Sequence, residues 1–101
     1  MIRRIVKMSF RHDETETFRA VFAEAQPRIS SFPGCHGVEL LQDILHPHIF
    51  FTFSVWDDHE ALERYRASEL FNTTWAKTKV LFNDKPEAWS VVGVGSGKGE
   101  K

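Results

Sequence analysis

The chain has 101 residues, with 13 Lys and Arg against 14 Asp and Glu, and 42% of its residues are hydrophobic. That length suits one domain, and the apolar content suits a packed core rather than a disordered chain. The charge balance argues against nucleic-acid binding, which needs a basic surface to displace counterions. The single cysteine, Cys35, excludes an intrachain disulfide and a multi-thiolate zinc site.

No apolar run approaches a membrane span. The start, Met1-Ile2-Arg3-Arg4-Ile5, has charge but no apolar stretch behind it. The expectation is a soluble protein with no membrane partner and, given the lone thiol, a cytoplasmic one. Nine Phe and three Trp stand out, because so short a chain has little interior in which to hide them.

Ile2, Val6, Met8 and Phe10 recur at period two with Arg4 as the exception, which predicts a half-buried first strand over 2–10. A helix follows, capped by Asp13 or Thr15, with Phe18, Val21, Phe22, Ala25 and Ile29 as its apolar stripe. Pro27 predicts a kink or an early end there. Phe32-Pro33-Gly34 is a turn.

A second strand runs over 35–43, with His36, Val38, Leu40 and Gln42 on one face. A third, over 48–56, alternates Ile49, Phe51, Phe53 and Val55 with Phe50, Thr52, Ser54 and Trp56. Asp57 or Asp58 caps a helix that breaks near Ala67-Ser68, and a further helix carries Phe71, Trp75, Thr78 and Phe82. Residues 88–94 form a last strand, and 95–101, without an apolar side chain, read as a disordered tail after a domain of 1–94.

Strand, helix, strand, strand, helix, strand is the split βαβ order of an α+β ferredoxin-like fold: a four-stranded antiparallel sheet with helices on one face. The uncovered face would show Ile5, Leu41 and part of the third strand, mixed with Lys7, Glu39, Thr52 and Ser54. Such a surface predicts a homodimer joined through the sheet face.

From Ser31 to Trp75 the chain resembles the antibiotic biosynthesis monooxygenase family of dimeric α/β barrels. The resemblance lies in the Pro33-Gly34 turn, the aromatic-rich strand ending at Trp56, and the acidic residues before Glu60-Ala61-Leu62. Tyr65-Arg66-Ala67-Ser68 leading to Phe71 completes it. With the flanking strands and helix it spans about nine-tenths of the chain. It implies a ligand pocket between helices and sheet, one per subunit, on a scaffold that hosts several chemistries.

Many relatives carry a His where this chain has Tyr65 and another where it has Leu70, so a histidine base is missing at those positions. The haem-degrading relatives' Asn and His fall on Val6 and Trp75, which argues against haem degradation.

The implied activity is oxygenation of a quinol, phenolic or polycyclic aromatic molecule with no cofactor and no metal. The substrate anion itself reduces dioxygen in a dry aromatic pocket. Tyr65, Trp75 and His36 are the candidate catalytic residues, with Trp56, Phe71, Asn72, Met8 and Phe53 as substrate contacts. His36 enters as a general base if its strand face meets the helices. The competing readings are plain core aromatics and a structural histidine. At the level of function the alternatives are an isomerase of a small carbonyl compound and a non-catalytic ligand-binding or stress-related dimer. His46-Pro47-His48 reads as a solvated turn, the acidic run Asp57-Asp58 with Glu60 as helix capping, and Cys35 as a small strand residue.

Overall fold

Four segments of alternating character pair into one antiparallel sheet. The computed structural model describes residues 1–97, and in it the strands are β1 (Ile2–Ser9), β2 (Cys35–Gln42), β3 (Ile49–Trp56) and β4 (Glu87–Val91). They lie in the order β2-β3-β1-β4, so the two longest central ladders join β1 to β3 and β3 to β2. Helices α1 (Thr15–Ser30), α2 (His59–Arg66) and α3 (Glu69–Lys79) cover one face. This is the expected α+β ferredoxin-like fold, and its sheet is open, with β2 and β4 as edges.

The register sorts the side chains into rows. Under the helices one row reads Val38, Ser54, Arg4, Ser90 and the next Leu40, Thr52, Val6, Ala88. On the uncovered side the rows read Leu41, Phe51, Lys7, Glu87; then Glu39, Phe53, Ile5, Trp89; then Gly37, Val55, Arg3, Val91. Thr52 and Ser54, expected on the open face, are therefore on the covered one. Ser54 is buried there, because it shares its parity with Phe50 and Trp56, the two largest buried side chains of β3.

Phe18, Phe22, Ala25 and Ile29 are the buried stripe of α1, and the core forms where this stripe meets Met8, Phe10 and Phe50. The Phe10 and Phe18 rings stack at 4.2 Å. At the other end of the molecule the Pro33-Gly34 turn packs so tightly on α2 that a Cβ at Gly34 would lie 2.6 Å from Ala61 Cβ. Its φ of +90° also favours glycine.

Several boundaries differ from the sequence reading. The N-cap of α1 is Glu14, reached through a short 3₁₀ turn (His12–Glu14), and neither Asp13 nor Thr15 caps it by a side-chain bond. The helix runs three residues past Pro27, since the missing N–H removes one bond while the Ile29 side chain still buries. Helix α3 stops at Lys79, and Phe82 instead forms a β-bridge with Phe10. The last strand ends at Val91; residues 92–97 are exposed without regular structure, and the rest of the expected tail, 98–101, lies outside the described residues.

The largest correction concerns His36. Cys35 pairs with Trp56 and Gly37 with Val55, which leaves His36 as the extra residue of a β-bulge. Gly37, at φ +138°, makes the bulge possible. Counting back from Val38 by twos places His36 on the covered face; the bulge turns it outward, where it is exposed and hydrogen-bonds Asp57 Oδ1.

Candidate functional site

Between the helix layer and the sheet lies a cavity of about 340 Å³, within the usual range of small-molecule sites at about 300–1,000 Å³. Its floor is the covered sheet face: Arg4, Val6 and Met8 from β1, Thr52 and Ser54 from β3. Its wall is aromatic, built by Tyr65 of α2 with Phe71 and Trp75 of α3.

One serine sets that wall. The Ser68 hydroxyl donates to the Tyr65 carbonyl at 2.6 Å and accepts from Phe71 N at 3.1 Å, so it ends α2 and caps α3 together. The chain turns there, and the last ring of α2 meets the first ring of α3, with Tyr65 and Phe71 edge to face at 5.3 Å. Phe71 and Trp75, four residues apart, stack nearly parallel at 5.8 Å. Behind the wall Trp56 stacks on Tyr65 at 4.9 Å and Phe32 meets its edge, which fixes the phenol ring from its far side.

Burial pushes the Tyr65 hydroxyl up to about 12 from 10.0, with the nearby Cys35 thiol adding to it. At neutral pH the group is thus a hydrogen-bond donor, not a base. Arg4 is the cation of the floor. In register it stands between Ser54 and Ser90, and its Nη1 donates to Ser90 Oγ at 2.9 Å. Burial, then repulsion from Arg66, holds its pKa below the ordinary arginine value, while Glu63 acts the other way. Arg66, at the cavity edge, is itself paired to Glu63 by two contacts of 2.9 and 3.2 Å.

Of the expected site residues, the fold brings Tyr65, Trp75, Phe71 and Met8 together around the cavity. Four others lie elsewhere. His36 is on the outer side of the bulge. Phe53 sits on the open sheet face by parity with Ile5. Trp56 is fully buried behind Tyr65, its indole N–H donating to Ser54 Oγ at 2.9 Å. Asn72 is exposed, one residue past Phe71 and so turned about 100° away around the helix.

What the sequence reading missed is Arg4, with Thr52 and Ser54 beside it. The signal was present: Arg4 is the one charged residue in an otherwise apolar alternation, and such an exception marks either an error of register or a polar group that the fold uses. Cys35 is half-buried with its thiol pKa raised by that burial, which makes it a poor nucleophile. Among the described residues no three His, Cys, Asp or Glu side chains are grouped to hold a metal ion.

The fold has counterparts among solved structures. A crystal structure of an antibiotic biosynthesis monooxygenase superposes with a TM-score of 0.88 at 18% identity, covering 94% of this chain and all of the other. A protein from Mycobacterium tuberculosis gives 0.86 at 15% identity over 96% of this chain and 98% of its own. A conserved protein from Methanosarcina mazei Go1 gives 0.85 at 17% identity over 89% of both. At these identities the likeness is one of fold. No curated protein matches the chain. The sequence model of the antibiotic biosynthesis monooxygenase family, however, matches residues 1–77, from β1 through the Tyr65–Phe71–Trp75 wall. The chain belongs to the antibiotic biosynthesis monooxygenase family.

Proposed function

We propose that the protein is a cofactor-independent monooxygenase of a quinol or phenolic aromatic compound, working as a homodimer. The observation that carries the reading is the cavity itself: the rings of Tyr65, Phe71 and Trp75 face a floor with one cation, Arg4, and the hydroxyls of Thr52 and Ser54. A flat, electron-rich molecule fits between them by stacking, and its oxygen substituents meet Arg4, Ser54 and the Tyr65 hydroxyl.

In such a reaction the substrate loses a proton to give an enolate or phenolate, which passes an electron to dioxygen. Recombination forms a C–O bond at the ring carbon as a hydroperoxide. Loss of water then leaves a carbonyl, so that CH₂ and O₂ become C=O and H₂O with all four electrons drawn from the substrate. The chain's part is to bind the anion, exclude water and keep the ring in place. With His36 outside the cavity and Tyr65 protonated, the proton leaves to solvent, and the substrate's own acidity governs the rate. Tyr65 and Arg4 stabilise the oxyanion that results.

Oxygen uptake with a panel of hydroquinones under metal-free conditions tests this. Uptake is expected with wild-type protein, with a pH profile that follows each substrate's own ionisation. No uptake across the panel would instead favour a non-catalytic binder, a reading supported by there being no imidazole among the described residues that line the cavity. The dimer rests on the open sheet face, where Phe51, Phe53, Val55 and Ile5 are only half-buried and Trp89 is 44% exposed. Light scattering at micromolar concentration tests it, and a monomer there removes it.

A further inference from the structure

We propose that the cavity selects an aromatic ligand that bears a negative charge, a ring carboxylate, and that Arg4 is the residue that reads this charge. The proposal rests on the reading of this cavity as the ligand site and adds the class of ligand.

It follows from an accounting of charge around the cavity. The nearby carboxylates are Glu63 and Glu87. Glu63 is held by Arg66, with His59 Nε2 at 3.9 Å, and the Arg66 contact is what draws its pKa down. Glu87, at the rim, lies 3.8 Å from Lys7 Nζ across the β1–β4 ladder. Arg4 is left over: among the described residues no carboxylate lies within ion-pair distance of its guanidinium, and its side-chain bond goes to the neutral Ser90 hydroxyl. A half-buried cation whose one attracting carboxylate, Glu63, acts from beyond contact and is already paired to Arg66 is incompletely compensated, and repulsion from Arg66 makes it more costly. A lone guanidinium presents a flat fork of donors, which a carboxylate matches with two parallel hydrogen bonds.

The surroundings fix where the rest of the ligand goes. Ser54 and Ser90 flank Arg4 in the same row of the sheet, so hydroxyls border the charged end. The next residue along the strand on that face is Val6, and after it Met8, so polarity falls steadily away from Arg4. The Phe71 and Trp75 rings stand over the cavity on the helix side. An acid group at Arg4 with a ring system directed along β1, under those two side chains, satisfies both parts. The volume of about 340 Å³ suits a bicyclic or tricyclic skeleton rather than a long chain.

Calorimetric titration with 2-naphthoate, 1-hydroxy-2-naphthoate and the neutral 1-naphthol separates the charge from the ring. Wild-type protein is expected to bind both acids about ten- to a hundredfold more tightly than the naphthol, the usual worth of a charge-assisted pair. In Arg4→Met, which keeps the apolar stem, the acids are expected to lose far more affinity than the naphthol, so that the preference vanishes. Arg4→Lys should retain part of it, and it replaces Arg4→Met if circular dichroism finds the latter unfolded. Equal wild-type affinity for acid and naphthol overturns the proposal, as does a preference that survives loss of Arg4. These titrations need no turnover. Oxygen uptake on quinols can therefore fail while selectivity for the acids stands, or the reverse. No binding of any of the three probes overturns the ligand site and the proposal together.

Discussion

Each face of the sheet mixes what the ordinary rule of polar outside and apolar inside would separate. Beneath the helices, where a core should be dry and uniform, the middle rows carry Arg4, Ser54 and Thr52, with Ser90 exposed at the edge. On the uncovered side, where solvent should meet charge, stand Phe51, Phe53, Val55, Ile5 and Trp89. Neither pattern serves the stability of a lone chain. A guanidinium under a helix layer weakens a core, and half-buried aromatics on an open sheet face invite association. Each fits the function proposed above, with a ligand on one side and a second copy on the other. The part devoted to folding is what remains: the Phe10, Phe18 and Phe50 cluster at one end, and the Gly34–Ala61 contact at the other.

If the open face is an interface, an unpaired charge at its centre breaks it. Phe53→Asp is expected to raise the dimer dissociation constant on the order of a thousandfold, because a buried lone carboxylate costs several kcal/mol. Sedimentation velocity reads this directly, and an unchanged profile would separate the exposed aromatics from self-association.

On the covered face Tyr65→Phe removes one donor and leaves the ring stack intact. A loss of turnover of about a hundredfold is expected from the missing oxyanion contact, with little change in stability at pH 7. The same variant carries a signature in alkali. The Tyr65 pKa is raised in the folded state from 10.0 to about 12, so its contribution is complete below pH 10 and lost as the pH climbs towards 12. Wild-type protein should lose about 2 to 3 kcal/mol over that window that Tyr65→Phe does not. Denaturant unfolding at pH 8, 10 and 11.5 compares them.

Thr52→Val asks whether the covered face is built for packing. A stability change within about 1 kcal/mol, of either sign, is expected, against a measurable drop in ligand affinity; a larger destabilisation would make Thr52 a structural residue. Smallest of all should be His36→Ala, which loses an exposed pair with Asp57 worth at most about 1 kcal/mol. Its oxygen uptake should match wild type, and a clear loss would bring the imidazole back into the chemistry.

The order of elements was legible because period-two and helical stripes are long here, and because Pro33-Gly34 and Ala67-Ser68 punctuate them. The helix-side aromatics were legible too: Tyr65, Phe71 and Trp75 are spaced so that a single turn at Ser68 brings them together. Parity was not enough on β2, where one extra residue at His36 reverses the face of everything before it. Only the backbone of Gly37 reveals that shift. Nor was parity decided on β3, since both of its faces carry large aromatics and either could have been the buried one. Arg4 was overlooked for the opposite reason. Its position was read correctly, but a charge on an apolar stripe has no meaning until the neighbouring strands supply Ser54, Ser90 and the space above them.

The placement of the tryptophans turns the protein into its own set of optical reporters. Trp75 stands in the cavity, Trp56 is sealed in the interior with its N–H tied to Ser54, and Trp89 lies on the open sheet face. Variants that keep one indole at a time would therefore report three separate events: quenching by a ligand at Trp75, a red shift on melting at Trp56, and a concentration-dependent blue shift on assembly at Trp89. Occupancy, folding and self-association could then be followed in one cuvette without any attached dye.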